Sequence, residues 1–186
     1  MFRHPWIPVT ALVLVTLTGC SGTPGPDTVA APAPPASHRP PHASSGDHVR
    51  SVGTKVSVAG GQADVTVYSY RQPVAANGPR PDRSGYIWSA ADVKVCVHAD
   101  SQVSRDPWTL VYADHKAAKP STIGNSQFPK PAYPLGDKNM KSGQCARGWV
   151  TFAVPKTHKP TMVEYSLPDG TIVDWNARAA RPAADT

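Results

Sequence analysis

Short runs of alternating apolar and polar residues fill the middle of this chain and set its expected architecture. Val56 and Val58 mark an opening strand. Across Ala63–Tyr70, Val65 and Val67 alternate with Thr66, Tyr68 and Tyr70. Across Asp92–Ala99, Val93, Val95 and Val97 share one face, while Lys94, Cys96 and His98 share the other. Trp108–Tyr112 is a short apolar run, and Trp149–Val154 sets Val150, Phe152 and Val154 opposite Trp149, Thr151 and Ala153. Met162–Leu167 and Thr171–Trp175 flank the turn sequence Pro168-Asp169-Gly170. No stretch carries a helical apolar stripe, and 21 scattered prolines disfavour long helices. Seven short strands predict an all-β fold, an antiparallel β-sandwich. Trp88, Trp108, Trp149 and Trp175 are its core candidates, since each indole buries on the order of 200 Å².

The N-terminus follows a different pattern. Arg3 precedes an apolar run from Ile7 to Leu17, too short to cross a bilayer, which needs about 20 apolar residues. It has the form of an export signal. The run ends in Leu17-Thr18-Gly19-Cys20, which resembles the lipobox of bacterial lipoproteins. That resemblance implies cleavage before Cys20 and a thioether-linked diacylglycerol on its sulfur, whose two acyl chains suffice for stable anchoring. Residues 21–50 hold seven prolines and no aromatic residue. They cannot bury enough surface to offset chain entropy, and read as a disordered Pro-rich tether. The expected organisation is a signal peptide at 1–19, lipidated Cys20 and linker at 20–50, a sandwich at 51–177 and a disordered tail at 178–186.

Export changes the reading of charge and sulfur. The chain carries a formal +6, and +5 once Arg3 leaves with the signal. In an extracytoplasmic compartment that charge faces anionic lipid heads and wall polymers rather than nucleic acid. Lipidation of Cys20 leaves Cys96 and Cys145, an even pair in an oxidising setting. A bridge between them is the first expectation, two thiols the alternative. Because Cys96 shares a face with Lys94 and His98 rather than with the valines, the bridge is expected on an outer face or at a strand end, pinning the base of the 113–144 loop.

Two connections are long, 71–89 and 113–144. The second holds Lys116, Lys119, Lys130, Lys138 and Lys141 against Asp114 and Asp137, with Phe128 and Tyr133 inside Phe-Pro-Lys-Pro-Ala-Tyr-Pro. Unstructured connections of this length are uncommon in compact domains and are often functional. The expectation is a basic, aromatic-bearing surface for an anionic wall polymer or an envelope protein. The competing reading is a solvated insertion without a role.

Four segments carry a wider resemblance: Asp92-Val93-Lys94-Val95-Cys96, Trp108-Thr109-Leu110, Pro131-Ala132-Tyr133-Pro134, and the run from Gly143 to Pro155. Together they resemble the telokin-like, immunoglobulin-fold domains of bacterial secreted lipoproteins. The resemblance implies an immunoglobulin-like sandwich acting as a binding or protective module, and carries no catalytic residues across.

Motifs for enzymatic chemistry are missing from the sequence: no nucleophile elbow, no P-loop, no zinc-protease helix. The sandwich segment holds one glutamate, Glu164, so paired carboxylates would have to draw on aspartates. His98 and Asp100 share strand parity and could hold a metal only with a third ligand; His38, His42 and His48 lie in the tether without a scaffold. No cofactor is expected. The function predicted is a non-enzymatic, lipid-anchored interaction module at the cell envelope, the alternative a small-solute- or metal-binding lipoprotein.

Overall fold

A computed structural model describes residues 49–179. The leader, Cys20, the linker with its histidines and the tail from residue 180 lie outside the described residues.

The described residues form ten strands: β1 (Lys55–Val58), β2 (Ala63–Arg71), β3 (Tyr86–Val97), β4 (Ser101–Val103), β5 (Trp108–Val111), β6 (Ala117–Ala118), β7 (Lys138–Met140), β8 (Cys145–Pro155), β9 (Met162–Ser166) and β10 (Ile172–Asn176). One sheet runs β1-β2-β3-β8, a second β10-β9-β5-β6, and β4 pairs with β7 in a ribbon. Every ladder between named strands is antiparallel. The chain changes sheets between β3 and β5, returns between β6 and β8, and crosses again between β8 and β9, while β9 and β10 form a hairpin. This is the order of an immunoglobulin-like sandwich.

All seven expected strands are present. β3 begins at Tyr86 rather than Asp92 because Trp88, Ser89, Ala90 and Ala91 are buried on both faces of the sheet. A strand covered on both sides loses the alternation that reveals it. β4, β6 and β7 are two or three residues long and carry no readable period.

Alternation places the core. Val65, Val67, Val93, Val95, Val97, Val150, Phe152 and Val154 of the first sheet meet Trp108, Leu110, Val163, Tyr165, Val173 and Trp175 of the second. The Trp108 ring lies 4.6 Å from Tyr165 and 6.1 Å from Trp175, in tilted contacts. The Trp175 indole N–H donates to the Thr54 carbonyl at 2.9 Å. Trp88 is also buried, whereas Trp149 is half-buried. One position departs from the expected alternation. The β2–β3 register slips between Val67 and Ser69, so Tyr70 turns inward against the core instead of joining Tyr68 outside. A bulge adds one residue to one strand and reverses the parity beyond it.

The disulfide joins Cys96 to Cys145, directly opposed residues near the ends of β3 and β8. Cys145 is exposed and Cys96 half-buried, so the bridge lies on the outer face at a strand end. Gly143 and Gln144, the last residues of the long connection, hydrogen-bond to Val97 beside it. The bridge thus holds the base of that connection, as alternation anticipated.

The connection itself is not a solvated loop. After β6 it crosses to the edge of β8 and runs along it as a strap. The Ser121 N–H donates to the Thr151 carbonyl at 2.8 Å, the Trp149 N–H to Pro131 at 2.9 Å, and the Tyr133 N–H to Trp149 at 3.1 Å. These bonds cover a sheet edge that would otherwise present unpaired backbone groups. Gly148 permits the approach: a Cβ there would lie 2.5 Å from the Tyr133 nitrogen and 2.6 Å from the Ala132 carbonyl carbon.

Candidate functional site

The outer face of the first sheet divides into a covered half and an open half. Over the covered half, Val74 from the 72–85 connection and Phe128 from the strap pack against Trp88 and Ala90. The Phe128 and Trp88 rings meet edge-on at 5.0 Å, and the Trp88 N–H donates to the Pro79 carbonyl at 2.5 Å. Both long connections therefore fold back onto the sheet and form a second, smaller apolar cluster.

This corrects the expected aromatic loop surface. Phe128 and Tyr133 are 5% and 1% exposed. Phe128 belongs to the outer cluster, while Tyr133 enters the core between the sheets. Its phenol lies against the Trp108 indole N–H without hydrogen-bond geometry, and burial pushes its pKa up. Apolar rings in a proline-rich run had a core partner that one-dimensional reading cannot see.

The five lysines are exposed but not gathered into one patch. Lys116 sits in the β5–β6 turn, 2.7 Å from Asp114. Lys119 follows β6 and donates to the Thr109 hydroxyl at 3.1 Å. Lys138 opens β7 in the β4–β7 ribbon, and Lys141 follows it, 2.7 Å from Asp100. Lys130 alone lies beside Trp149, along the strap.

On the open half, cations and aromatic rings alternate. The Arg147 guanidinium stacks 4.0 Å over Tyr68 and makes a two-pronged ion pair with Asp92, through Nε at 3.2 Å and Nη2 at 2.8 Å. The Asp92 bond raises the pKa of Arg147 further. The Arg71 guanidinium lies 5.1 Å over Trp149. Lys94 adds a third cation, opposite Arg147 in the β3–β8 register. Sequence alternation placed Lys94 and Tyr68 outside; Trp149, expected in the core, stands with them half-buried on the outer face, and Arg71 joins them only because the β2 bulge reverses parity. Cross-strand neighbours on adjacent strands are separated in sequence, so no local motif announces the row.

Beyond the disulfide, Asp64 stands opposite Cys96 and pairs with Lys55 and His98, both at 3.1 Å. The Lys55 hydrogen bond leads the lowering of the Asp64 pKa. His98 and Asp100 therefore do not form a shared ligand face: His98 turns to Asp64, and Asp100 accepts from Lys141 and the Ser142 N–H. Among the described residues no group of three or more metal-ligating side chains converges.

On the second sheet Asp174 faces Glu164 across β9 and β10. Burial, then Glu164, push the Asp174 pKa up to about 6, with Arg50 opposing. This pair can hold a proton, yet it borders neither surface cleft described in this structure.

Arg105 escaped sequence reading because it belongs to no periodic segment. It is 3% exposed, in the turn between β4 and β5. Its Nε donates to the Pro134 carbonyl at 3.2 Å, Nη2 to Tyr133 at 3.3 Å, and Nη1 to Ser121. One guanidinium thus gathers both ends of the strap. Burial lowers its pKa, with Asp106 opposing.

Fold and surface together define an immunoglobulin-like β-sandwich with an open aromatic–cationic face and a strapped edge. No known protein family matches the chain, and no curated relative does. Several solved structures are similar to it. A secreted protein of Mycobacterium tuberculosis, MPT63, is 14% identical, with 69% of this chain and 95% of that chain covered and a TM-score of 0.48. The yjhA protein of Bacillus subtilis is 11% identical, covering 69% and 98%, with a TM-score of 0.48. An uncharacterized β-sandwich protein of Clostridium difficile 630 is 10% identical, covering 69% and 93%, with a TM-score of 0.44.

Proposed function

We propose that this protein is an extracytoplasmic, lipid-anchored, non-enzymatic binding module whose ligand is an anionic polymer of the cell envelope. The observation that carries the reading is the open half of the first sheet, where Arg71, Lys94 and Arg147 stand among Tyr68 and Trp149. A guanidinium stacked on a ring keeps its charge while gaining an aromatic support. Asp92 takes the Nε and Nη2 donors of Arg147, whereas Arg71 and Lys94 have no carboxylate within ion-pairing distance among the described residues. Such a face suits repeated phosphate or carboxylate groups more than an apolar protein patch. The exposed disulfide supports an oxidising compartment. The leader ending in Cys20 supports the anchor, and the proline-rich linker supports a domain held clear of the membrane. Lys130 extends the cationic row along the strap.

Co-sedimentation with purified poly(glycerol phosphate) tests the reading. Binding should fall steeply between 50 and 300 mM salt, test concentrations that take the Debye length from over 10 Å to under 8 Å. The double variant Arg71→Gln/Arg147→Gln should weaken it at least tenfold, about 1.4 kcal/mol. Salt-independent binding, or an unaffected double variant, removes this face as the site.

A further inference from the structure

We propose that the open cleft bordered by the strap is a small-molecule site for an organic monoanion, a carboxylate bearing an aromatic or branched apolar tail. The cleft measures about 370 Å³, within the range of small-ligand sites. It borders the polymer-binding row, sharing Trp149 and Lys130 with it, and differs from it in ligand size.

Charge sets the polar end. Arg105 and Lys130 line the cleft, and no aspartate or glutamate does. Arg105 is buried, and among the described residues no carboxylate lies within ion-pairing distance of it. Three of its five N–H groups go to backbone carbonyls. Carbonyls satisfy geometry but carry no charge, and Asp106 acts on Arg105 only from beyond ion-pairing distance, so the buried cation has no direct counter-ion. One N–H on each Nη has no acceptor among the described residues, which leaves Arg105 donors for a carboxylate.

Shape sets the apolar end. Phe128 and Trp149 line the cleft, and Ile123 and Leu135 stand at its mouth, 42% and 48% exposed. They are two of the few large apolar side chains that the described residues leave in water. At roughly 30 Å³ per water, the cleft equals about a dozen waters. That admits an acid of similar heavy-atom count.

Calorimetry on the mature protein tests the site with phenylacetate, 4-methylpentanoate, phenylacetamide and inorganic phosphate. Both acids should bind, the amide at least tenfold more weakly, and phosphate should not displace them. Arg105 substitutions could release the strap, so two other variants carry the test. Leu135→Trp fills the cleft and should abolish acid binding while leaving the melting temperature and poly(glycerol phosphate) binding unchanged. Lys130→Gln should weaken acid binding several-fold. Equal affinity for acid and amide, displacement by phosphate, acid binding that survives Leu135→Trp, or no acid binding at all would each overturn the proposal.

Discussion

The inner core between the two sheets and the outer cover on the first sheet use similar residues in different ways. Phe152 and Phe128 are both buried phenylalanines. Phe152 sits among valines and tryptophans supplied by strands, and its neighbours are fixed by backbone ladders. Phe128 rests on Trp88 and Ala90 under a strap whose ends are gathered by one arginine. The core is redundant, because many side chains share each contact. The cover depends on a few groups: the Arg105 guanidinium, the missing side chain at Gly148, and the backbone bonds to β8. A surface held by so few groups can be altered without unfolding the sandwich.

Truncating the two phenylalanines breaks the comparison most directly. Phe152→Ala should cost about 4 kcal/mol of unfolding free energy and Phe128→Ala about 2, since a thin cover collapses onto a cavity more readily. Urea titration measures both, and equal losses would mean that the cover is as tightly packed as the core. Replacing both Cys96 and Cys145 by serine should also cost about 4 kcal/mol, given a sequence separation of 49 residues. A loss under about 1 kcal/mol would show that the unfolded chain is already compact.

Arg105→Met should cost about 3 kcal/mol, since three carbonyls lose a charged donor. Amide hydrogen exchange should speed up at Tyr133 and Trp149 while the β9–β10 ladder keeps its protection; uniform acceleration would mean that strap and core unfold together. Gly148→Ala should cost about 2 kcal/mol through the collision with Tyr133 and Ala132. Its exchange pattern should match that of Arg105→Met, because both variants lift the same segment.

The smallest effect concerns the second sheet. The Asp174 carboxyl is held near 6 in the folded chain, against an ordinary value of about 4. Between pH 7 and 5 the folded state therefore takes up a proton that the unfolded chain does not, so stability rises as pH falls through that window. Asp174→Asn should flatten the rise in melting temperature. An unchanged slope would assign the proton to another group.

Alternation by itself determined the seven main strands, the inward valines and the outward Cys96, because the side-chain period of a strand is local. It also placed Lys94 and Tyr68 on the outer face, where Trp149, expected in the core, joins them. Tertiary structure decided what alternation could not reach. The β2 bulge turned Tyr70 inward and brought Arg71 beside Trp149. Phe128 and Tyr133, which looked like an exposed aromatic loop, became buried because β8 offered an edge and Gly148 left room. Arg105 acquired its place only when Ser121, Tyr133 and Pro134 converged on it. Each of these depends on residues far apart in sequence meeting at one point, and the chain encodes that meeting in packing rather than in any period.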